Sequence, residues 1–210
     1  MVKKRHIIFD MDGTLSDTAK ATVVALYEVG KQYKLPRVTD ERIRAAMGLA
    51  GPEFYAHLYP HEPKETLMNI ERTADVIEEA MITKMGKEIL FPGVGDMLAD
   101  LSEKGYCLYI ASTGSESHVH NTLASCGIEG LFTSVSCGKS EKISMVKSII
   151  AGRNTDEWAM VGDMFKDSEA ARGNNILALG AGFGYLAKDD YPLFDSVLLK
   201  PEDIYKYVNG

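Results

Sequence analysis

The sequence predicts an α/β protein with a doubly wound parallel sheet and an all-helical insertion after the first strand. From residue 92 onward, short apolar runs alternate with segments of helical periodicity. This alternation indicates right-handed crossovers between parallel strands. Residues 15–86 instead show a helical pattern with no convincing strand, directly after an isolated apolar run. We therefore expect a core domain formed by residues 1–14 and 88–210 and a helical cap domain formed by residues 15–87.

The N-terminal part of the chain contains one predicted strand and several predicted helices. The strand, His6–Phe9, is a short apolar run, as expected for a strand that is covered on both faces. Within the insertion, Val23, Leu26 and Tyr27 recur at the spacing of one helix face. Proline and glycine breakers then divide the chain into short helices, before a longer helix predicted from about Lys64 to Met85.

The C-terminal part contains five further predicted strands, the first four of them each preceded by a helical segment. The predicted strands are Cys107–Ala111, Phe132–Ser136, Trp158–Val161, Ile176–Leu179 and Val197–Leu199. The predicted helices are one that ends near Lys104, then Glu116–Ser125, Lys142–Ala151, Asp167–Arg172 and a terminal helix that begins at Pro201.

Composition and charge exclude several classes of protein. With 45% hydrophobic and 25% charged residues, the 210-residue chain is typical of a globular protein with a substantial core. The net charge of −7 argues against a general nucleic-acid-binding protein. No apolar stretch is long enough for a membrane span or a signal peptide, and the three cysteines have the irregular spacing of reduced thiols. We therefore expect a cytoplasmic protein, a monomer or weak dimer, without nucleic-acid or membrane partners.

Four polar clusters directly follow predicted strands. They are Asp10–Thr14, Ser112–Gly114, Gly138–Lys139 and Gly162–Asp167. The ligand crevice of an open parallel sheet lies at the carboxyl ends of its strands, so the fold should bring these distant segments together. Taken singly, each cluster has an ordinary explanation as a turn, a helix N-cap or a solvated lysine. Their joint occurrence at one sheet edge indicates a functional site.

The clusters, in this order, resemble the motifs of the haloacid dehalogenase superfamily, in the branch with a helical cap after the first motif. Phe9–Leu15 matches the first motif, Ile110–Ser112 the second, and Gly162–Asp163 with Asp167 the fourth. The resemblance covers essentially the whole chain and implies a Rossmann-like core. It extends to the phosphoglycolate phosphatase and β-phosphoglucomutase-like branch of the superfamily.

The resemblance implies a Mg²⁺-dependent phosphatase that acts on a small phosphorylated metabolite through an aspartyl-phosphate intermediate. Asp10 is the implied nucleophile, a role that a carboxylate can fill without activation. Asp12 is the implied general acid for the leaving group and then the general base for water. The implied Mg²⁺ site consists of the Asp10 carboxylate, the Asp12 backbone carbonyl and Asp163, with Asp167 holding the surroundings of the metal.

The same resemblance implies that a hydroxyl, backbone amides and a lysine stabilise the charge of the phosphoryl group. The hydroxyl belongs to Ser112, and the substrate-binding positions are Met11, Thr113 and Gly114. Lys139 is the favoured lysine because it stands at the exit of a strand, and Lys142, in the following helix, is its rival. Two nearby histidines, His118 and His120, are expected to be solvated or core residues rather than metal ligands, because their spacing places them on different helix faces.

Two other functions remain as alternatives. A sugar phosphomutase of the β-phosphoglucomutase type needs a basic group in the cap to hold the second phosphate of a bisphosphate, whereas the segment Gly48–Gly51 is uncharged. A non-catalytic phospho-acceptor signalling domain is less favoured still, because such domains are much shorter and carry no helical insertion. Dehalogenation is disfavoured by the presence of Asp12, the acid that dehalogenases lack.

Overall fold

The computed structural model describes residues 3–49, 51–139 and 141–209 and contains a six-stranded sheet. In chain order, the strands β1 to β6 are His6–Phe9, Cys107–Ala111, Phe132–Ser136, Trp158–Gly162, Leu177–Ala181 and Ser196–Leu198. Their spatial order is β3-β2-β1-β4-β5-β6, and all neighbouring strands run parallel. The predicted doubly wound, Rossmann-like α/β fold is confirmed.

Strand β1 lies in the middle of this sheet. Its residues Ile7 and Ile8 are fully buried, and Phe9 is paired with Ile110 of β2 on one side and Val161 of β4 on the other. The chain builds outward from β1 to β3, then returns to the centre and builds outward again from β4 to β6. This reversal between β1 and β4 is the place where such sheets open a ligand crevice beyond their carboxyl ends.

The helices divide between two compact units. In chain order, the α-helices α1 to α9 of the described residues are Ala19–Tyr33, Asp40–Ala46, Gly51–Leu58, Lys64–Met85, Val94–Glu103, Glu116–Cys126, Lys142–Ile150, Phe165–Gly173 and Tyr205–Val208. Helices α1 to α4 belong to the unit Thr18–Ile89, and the others belong with the sheet to the unit Met1–Asp17 with Leu90–Gly210. The sequence-based boundaries lay close by, after residues 14 and 87. None of the helices in the described part of the chain has the length and apolar character of a membrane span.

The helical unit has an apolar core of its own. Leu26 of α1, Ile43 of α2 and Ile70 of α4 are buried in one cluster. Helix α2 begins after Thr39, whose side chain accepts a hydrogen bond from the Arg42 amide at 3.4 Å and so satisfies a free helix-terminal donor. Ala50, part of the uncharged segment expected to separate hydrolases from mutases, lies outside the described residues.

The chain segments that enter and leave the helical unit are paired with each other within the sheet unit. Ser16 forms an antiparallel bridge with Leu90, and the Phe91 amide donates to the Leu15 carbonyl oxygen at 3.0 Å. The Ser16 hydroxyl is fully buried and donates to the Met11 carbonyl oxygen at 3.3 Å. The turn after β1 is therefore fixed to the segment that resumes the sheet unit.

Replacing Ile8 with Ala should lower the free energy of unfolding of the sheet unit by roughly 2–5 kcal/mol, because it removes buried methyl groups and leaves a cavity. Ile8 shares a buried cluster with Trp158, the one tryptophan of the sequence, so urea unfolding followed by fluorescence reports on this unit. The matched control is Leu199→Ala, at a side chain that is 67% exposed. The free energy of unfolding of Leu199→Ala should stay within about 0.5 kcal/mol of the wild-type value. Equal losses for the two variants would contradict the central position of Ile8.

Candidate active site

The register of the sheet brings the polar clusters to one edge. Asp10 directly follows β1, and its amide donates to the Val161 carbonyl oxygen at 2.9 Å, next to the start of the cluster that follows β4. On the other side, Ser112 follows β2, and its amide donates to the Ser136 carbonyl oxygen at 3.0 Å. Residues from four distant parts of the chain therefore end at neighbouring positions, as the sequence predicted.

The turn after β1 requires glycine at position 13. The Met11 carbonyl oxygen accepts hydrogen bonds from the amides of Leu15 at 2.8 Å and Ser16 at 3.0 Å, which folds the chain back tightly. Gly13 has a φ of +79°, in the left-handed region that side chains disfavour. A Cβ atom there would also lie 2.4 Å from Oδ2 of Asp163. Glycine thus allows the first motif to pack directly against the fourth.

Three carboxylates form the centre of the site. Asp10, Asp163 and Asp167 are buried, and each offers an oxygen within 4.8 Å of those of the others. The Thr14 hydroxyl donates to Oδ1 of Asp163 at 2.7 Å. Oδ2 of Asp167 accepts from the amides of Asp163 at 3.1 Å and Met164 at 2.9 Å, so Asp167, in the first turn of α8, fixes the loop that carries Asp163.

Lys142, rather than Lys139, is the lysine that the structure brings to this cluster. Its Nζ lies 2.8 Å from Oδ1 of Asp10 and 2.6 Å from Oδ1 of Asp167, and its side chain is only 5% exposed. Lys139, the lysine favoured from the sequence, is exposed to solvent. It follows the edge strand β3, and β2 stands between β3 and β1, which puts the end of β3 about 10 Å from that of β1. Lys142 reaches Asp10 because α7 packs beside α8 and its first residue points along the sheet edge toward Asp167.

Burial and mutual repulsion disturb the protonation of these groups. Burial, together with the negative charges of Asp167 and Asp12, raises the pKa of Asp10 to about 7, although Lys142 opposes the shift. Burial, followed by the charges of Asp10 and Asp167, raises the pKa of Asp163 well above its ordinary value. Burial alone would lower the pKa of Lys142, but the neighbouring carboxylates of Asp10 and Asp167 outweigh burial and raise it. The cluster therefore favours additional positive charge.

The donor set of this cluster fits a hard divalent cation. Three carboxylate groups converge, and oxygen is the ligand that Mg²⁺ prefers. In the contacts described for these side chains, three carboxylates face the single ammonium group of Lys142. A bound divalent cation would remove the excess of negative charge that raises the pKa values of Asp10 and Asp163.

Asp12 stands apart from the carboxylate cluster and faces a histidine. Its Oδ1 lies 2.9 Å from Nε2 of His118 and accepts from the Ser16 hydroxyl at 3.4 Å. His118 lies in the first turn of α6, whose N-cap Ser115 hydroxyl accepts from the His118 amide at 3.2 Å. From the sequence, a solvated or core histidine is expected here. The contact with Asp12 could have been inferred only from the position of His118 in the first helical turn after the Ser112 cluster, at the same sheet edge.

The remaining expected residues lie in the segments that directly follow β1 and β2. Ser112 is buried, and its Oγ accepts from the Gly114 amide at 3.1 Å. The Gly114 carbonyl oxygen in turn accepts from the Gly138 amide at 2.8 Å, which ties the second cluster to the segment after β3. Thr113 is exposed at this edge, and Met11 is fully buried in the turn after β1.

Comparisons with known proteins find similar sequences and a similar fold over most of the chain. The sequence matches the family described as haloacid dehalogenase-like hydrolase over residues 7–181. The phosphoglycolate phosphatase of Synechococcus elongatus is 28% identical over 186 residues, which cover 85% of this chain and 84% of that protein. The phosphoglycolate phosphatase of Haemophilus influenzae is 26% identical over 192 residues, with 84% and 85% covered. A haloacid dehalogenase-like hydrolase of Streptococcus pneumoniae has the same fold, with a TM-score of 0.83 over 99% of each chain at 24% identity.

Replacing Asp163 with Asn should stabilise the metal-free protein, and more so as the pH rises. The raised pKa values mean that the folded protein retains protons that an unfolded chain has released. The resulting stability is present below the unfolded pKa near 4 and is lost as the pH rises through the folded value, about 7 for Asp10. The melting temperature of Asp163→Asn minus that of the wild type, measured in a chelator, should therefore increase between pH 5 and pH 8.

Asp189→Asn is the control for this experiment, because Asp189 is exposed and distant in sequence from the cluster. Its melting temperature should follow that of the wild type at every pH. Addition of Mg²⁺ at pH 8 should raise the melting temperature of the wild type more than that of Asp163→Asn. A difference between Asp163→Asn and wild type that is the same at pH 5 and pH 8 would contradict repulsion within the cluster.

Proposed function

The chain belongs to the haloacid dehalogenase-like hydrolase family and is an enzyme that hydrolyses phosphate esters, and we propose that it releases phosphate from small phosphorylated metabolites through an aspartyl-phosphate on Asp10. The observation that carries this proposal is the position of Asp10. It stands at the end of the central strand, in contact with Lys142 and beside two further carboxylates. A carboxylate held in this way is a competent nucleophile at phosphorus.

The proposed reaction has two steps. In the first, a carboxylate oxygen of Asp10 forms a bond to phosphorus while the bond between phosphorus and the ester oxygen breaks, and Asp12 gives its proton to the departing alkoxide. In the second, a water molecule attacks phosphorus and passes a proton to Asp12, and the bond to Asp10 breaks. Inorganic phosphate leaves, and both aspartates return to their starting states.

In both steps, groups at the same sheet edge are proposed to stabilise the negative charge of the phosphoryl group. We assign Lys142 the role that the sequence analysis gave to Lys139, because its ammonium group contacts the nucleophile. The Ser112 hydroxyl and the backbone amides of Met11, Thr113 and Gly114 are the proposed hydrogen-bond donors to phosphoryl oxygens.

Mg²⁺ is the proposed cofactor. Its proposed ligands are the carboxylates of Asp10 and Asp163 and the backbone carbonyl of Asp12, with Asp167 at the edge of the site. When bound, Mg²⁺ neutralises charge on the phosphoryl group and on the nucleophile that approaches it. The buried excess of negative charge supports this proposal.

Phosphoglycolate is the first substrate to test. Proteins named phosphoglycolate phosphatase match this chain over more than four fifths of their own length at 26–28% identity. The decisive experiment measures phosphate release from a panel of phosphate esters, with phosphoglycolate, hexose phosphates and nucleoside monophosphates, in Mg²⁺. Conversion of one hexose phosphate isomer into another faster than phosphate release, after addition of a sugar bisphosphate, would identify a mutase instead.

Asp10→Asn should abolish turnover of every ester in the panel while leaving the fold intact. The amide is isosteric with the carboxylate but is not a nucleophile. Phosphate release should fall by at least about 10³-fold, which corresponds to about 4 kcal/mol of transition-state free energy. Circular dichroism checks the fold, and Asp189→Asn is the matched control at an exposed position. Activity of Asp10→Asn within tenfold of wild type would overturn the nucleophile assignment.

Lys142→Met should reduce kcat by at least about 100-fold, whereas Lys139→Met should leave it nearly unchanged. Both substitutions replace an ammonium group by an unbranched apolar chain, but only Lys142 is buried against Asp10 in the described structure. Steady-state kinetics with one active ester of the panel compares the two variants. A larger loss for Lys139→Met would restore Lys139 as the charge-stabilising residue.

A further inference from the structure

The hydrogen bond between His118 and Asp12 links the proposed general acid to a residue that the reaction scheme does not yet use. Nε2 of His118 lies 2.9 Å from Oδ1 of Asp12. The side chain of His118 is 16% exposed, and that of Asp12 is 32% exposed. An aspartate with this much exposure has access to several rotamers, so a partner that selects one of them affects what the carboxyl group can do.

The fold presents the His118 ring at this place. Ser115 caps α6 through the His118 amide, and the Thr122 hydroxyl donates to the His118 carbonyl oxygen at 2.8 Å. Gly114 leaves room for the ring, because a Cβ atom at position 114 would lie 3.3 Å from Cδ2 of His118. The backbone of His118 is therefore fixed within its own helix, and the loop after β2 leaves room for the ring, independently of Asp12.

The direction of the hydrogen bond follows from the chemistry of Asp12. An ionised carboxylate only accepts hydrogen bonds, so Nε2 of His118 carries the hydrogen and donates it to Oδ1. The Ser16 hydroxyl, whose single hydrogen also has the Met11 carbonyl oxygen within reach at 3.3 Å, lies 3.4 Å from the same oxygen. A proton on Oδ1 would point at the N–H of His118, so the proton that Asp12 gains and loses is favoured on its other oxygen. The His118 donor can contact Asp12 in both states, because Oδ1 accepts whether or not the other oxygen is protonated.

We propose that His118 is a positioning residue that fixes the Asp12 carboxyl group through Oδ1, so that its other oxygen carries the proton of the reaction. The inference rests on the proposed function of Asp12 as general acid and base. His118 touches neither the reacting phosphorus nor the nucleophile in this scheme, and it acts through Asp12.

The test uses two esters with different leaving groups. An alkyl phosphate from the active members of the panel needs a proton on its leaving oxygen, whereas p-nitrophenyl phosphate departs without one. The value of kcat/KM reports the first step, transfer of phosphate to Asp10. The value of kcat for p-nitrophenyl phosphate also includes hydrolysis of the aspartyl-phosphate, in which Asp12 acts as base.

His118→Leu should therefore lower kcat/KM for the alkyl ester by at least about tenfold, a part of the 10²–10⁴-fold that general acid catalysis typically supplies. For p-nitrophenyl phosphate, kcat/KM should stay near the wild-type value while kcat falls and KM falls with it. His118→Gln, whose amide N–H has a reach similar to that of Nε2, should recover most of the loss. If the Leu variant does not fold, His118→Asn, with a shorter reach, takes its place with the same expectation.

His120→Leu is the matched control on the same helix. Its ring is exposed and lies 3.0 Å from Glu129, and its removal should change neither ester. Equal losses of kcat/KM on both esters, no loss on either, or a Gln variant no better than Leu would each overturn the role of His118. If the wild-type protein hydrolyses no ester at all, the proposed function itself fails, which is distinct from a failure of this inference.

Discussion

Repulsion among three buried carboxylates is the constraint on which the rest of the site depends. Asp10, Asp163 and Asp167 are held within one small volume from which water is largely excluded, where like charges repel far more strongly than at a surface. The surrounding groups compensate for this repulsion. Lys142 contacts two of the three, Thr14 donates to Asp163, and two backbone amides donate to Asp167.

The architecture supplies these compensating groups from separate parts of the chain. Asp10 comes from the turn after β1, Asp163 from the loop after β4, and Lys142 from the first turn of α7. A parallel sheet with a reversal of strand order between β1 and β4 ends all of these segments at one edge. These carboxylates consequently lower the stability of the isolated protein, because burying like charges opposes folding. The same negative charge would favour the proposed Mg²⁺, which in turn would offset the repulsion between the cluster and an anionic ester.

Sequence reasoning predicted the six strands and the carboxylates of the site, because both follow from local signals. Apolar runs identify strands such as His6–Phe9, and a residue directly after such a run lies at the sheet edge whatever the details of packing. Lys142 could not be chosen over Lys139 in this way. The choice depends on how α7 packs against α8 and on the position of β3 at the sheet edge, which are tertiary facts.

The contact between His118 and Asp12 could not be predicted for a related reason. The sequence placed His118 correctly in the helix after the second motif, but its two-residue spacing from His120 indicates only that the two rings lie on different helix faces. The ring meets Asp12 because a glycine at position 114 leaves space and because two loops converge there, and neither condition leaves a periodic signal. Contacts between side chains of different motifs generally leave no pattern in the sequence, because they depend on the angles at which helices and loops leave the sheet.

The pairing of Ser16 with Leu90 allows the helical unit to vary in length and structure. The sheet unit itself holds the two ends of the insertion side by side, so the core does not rely on the insertion to bring them together. The entropy of closing a loop between fixed ends grows only slowly with its length, and junctions held in this way tolerate inserted domains. Segments from a short turn to a complete domain can therefore be inserted at this junction without a change in the strand order of the sheet. The junction thus separates the helical unit, which is free to vary, from the sheet unit, in which the charged side chains of the site must keep their positions.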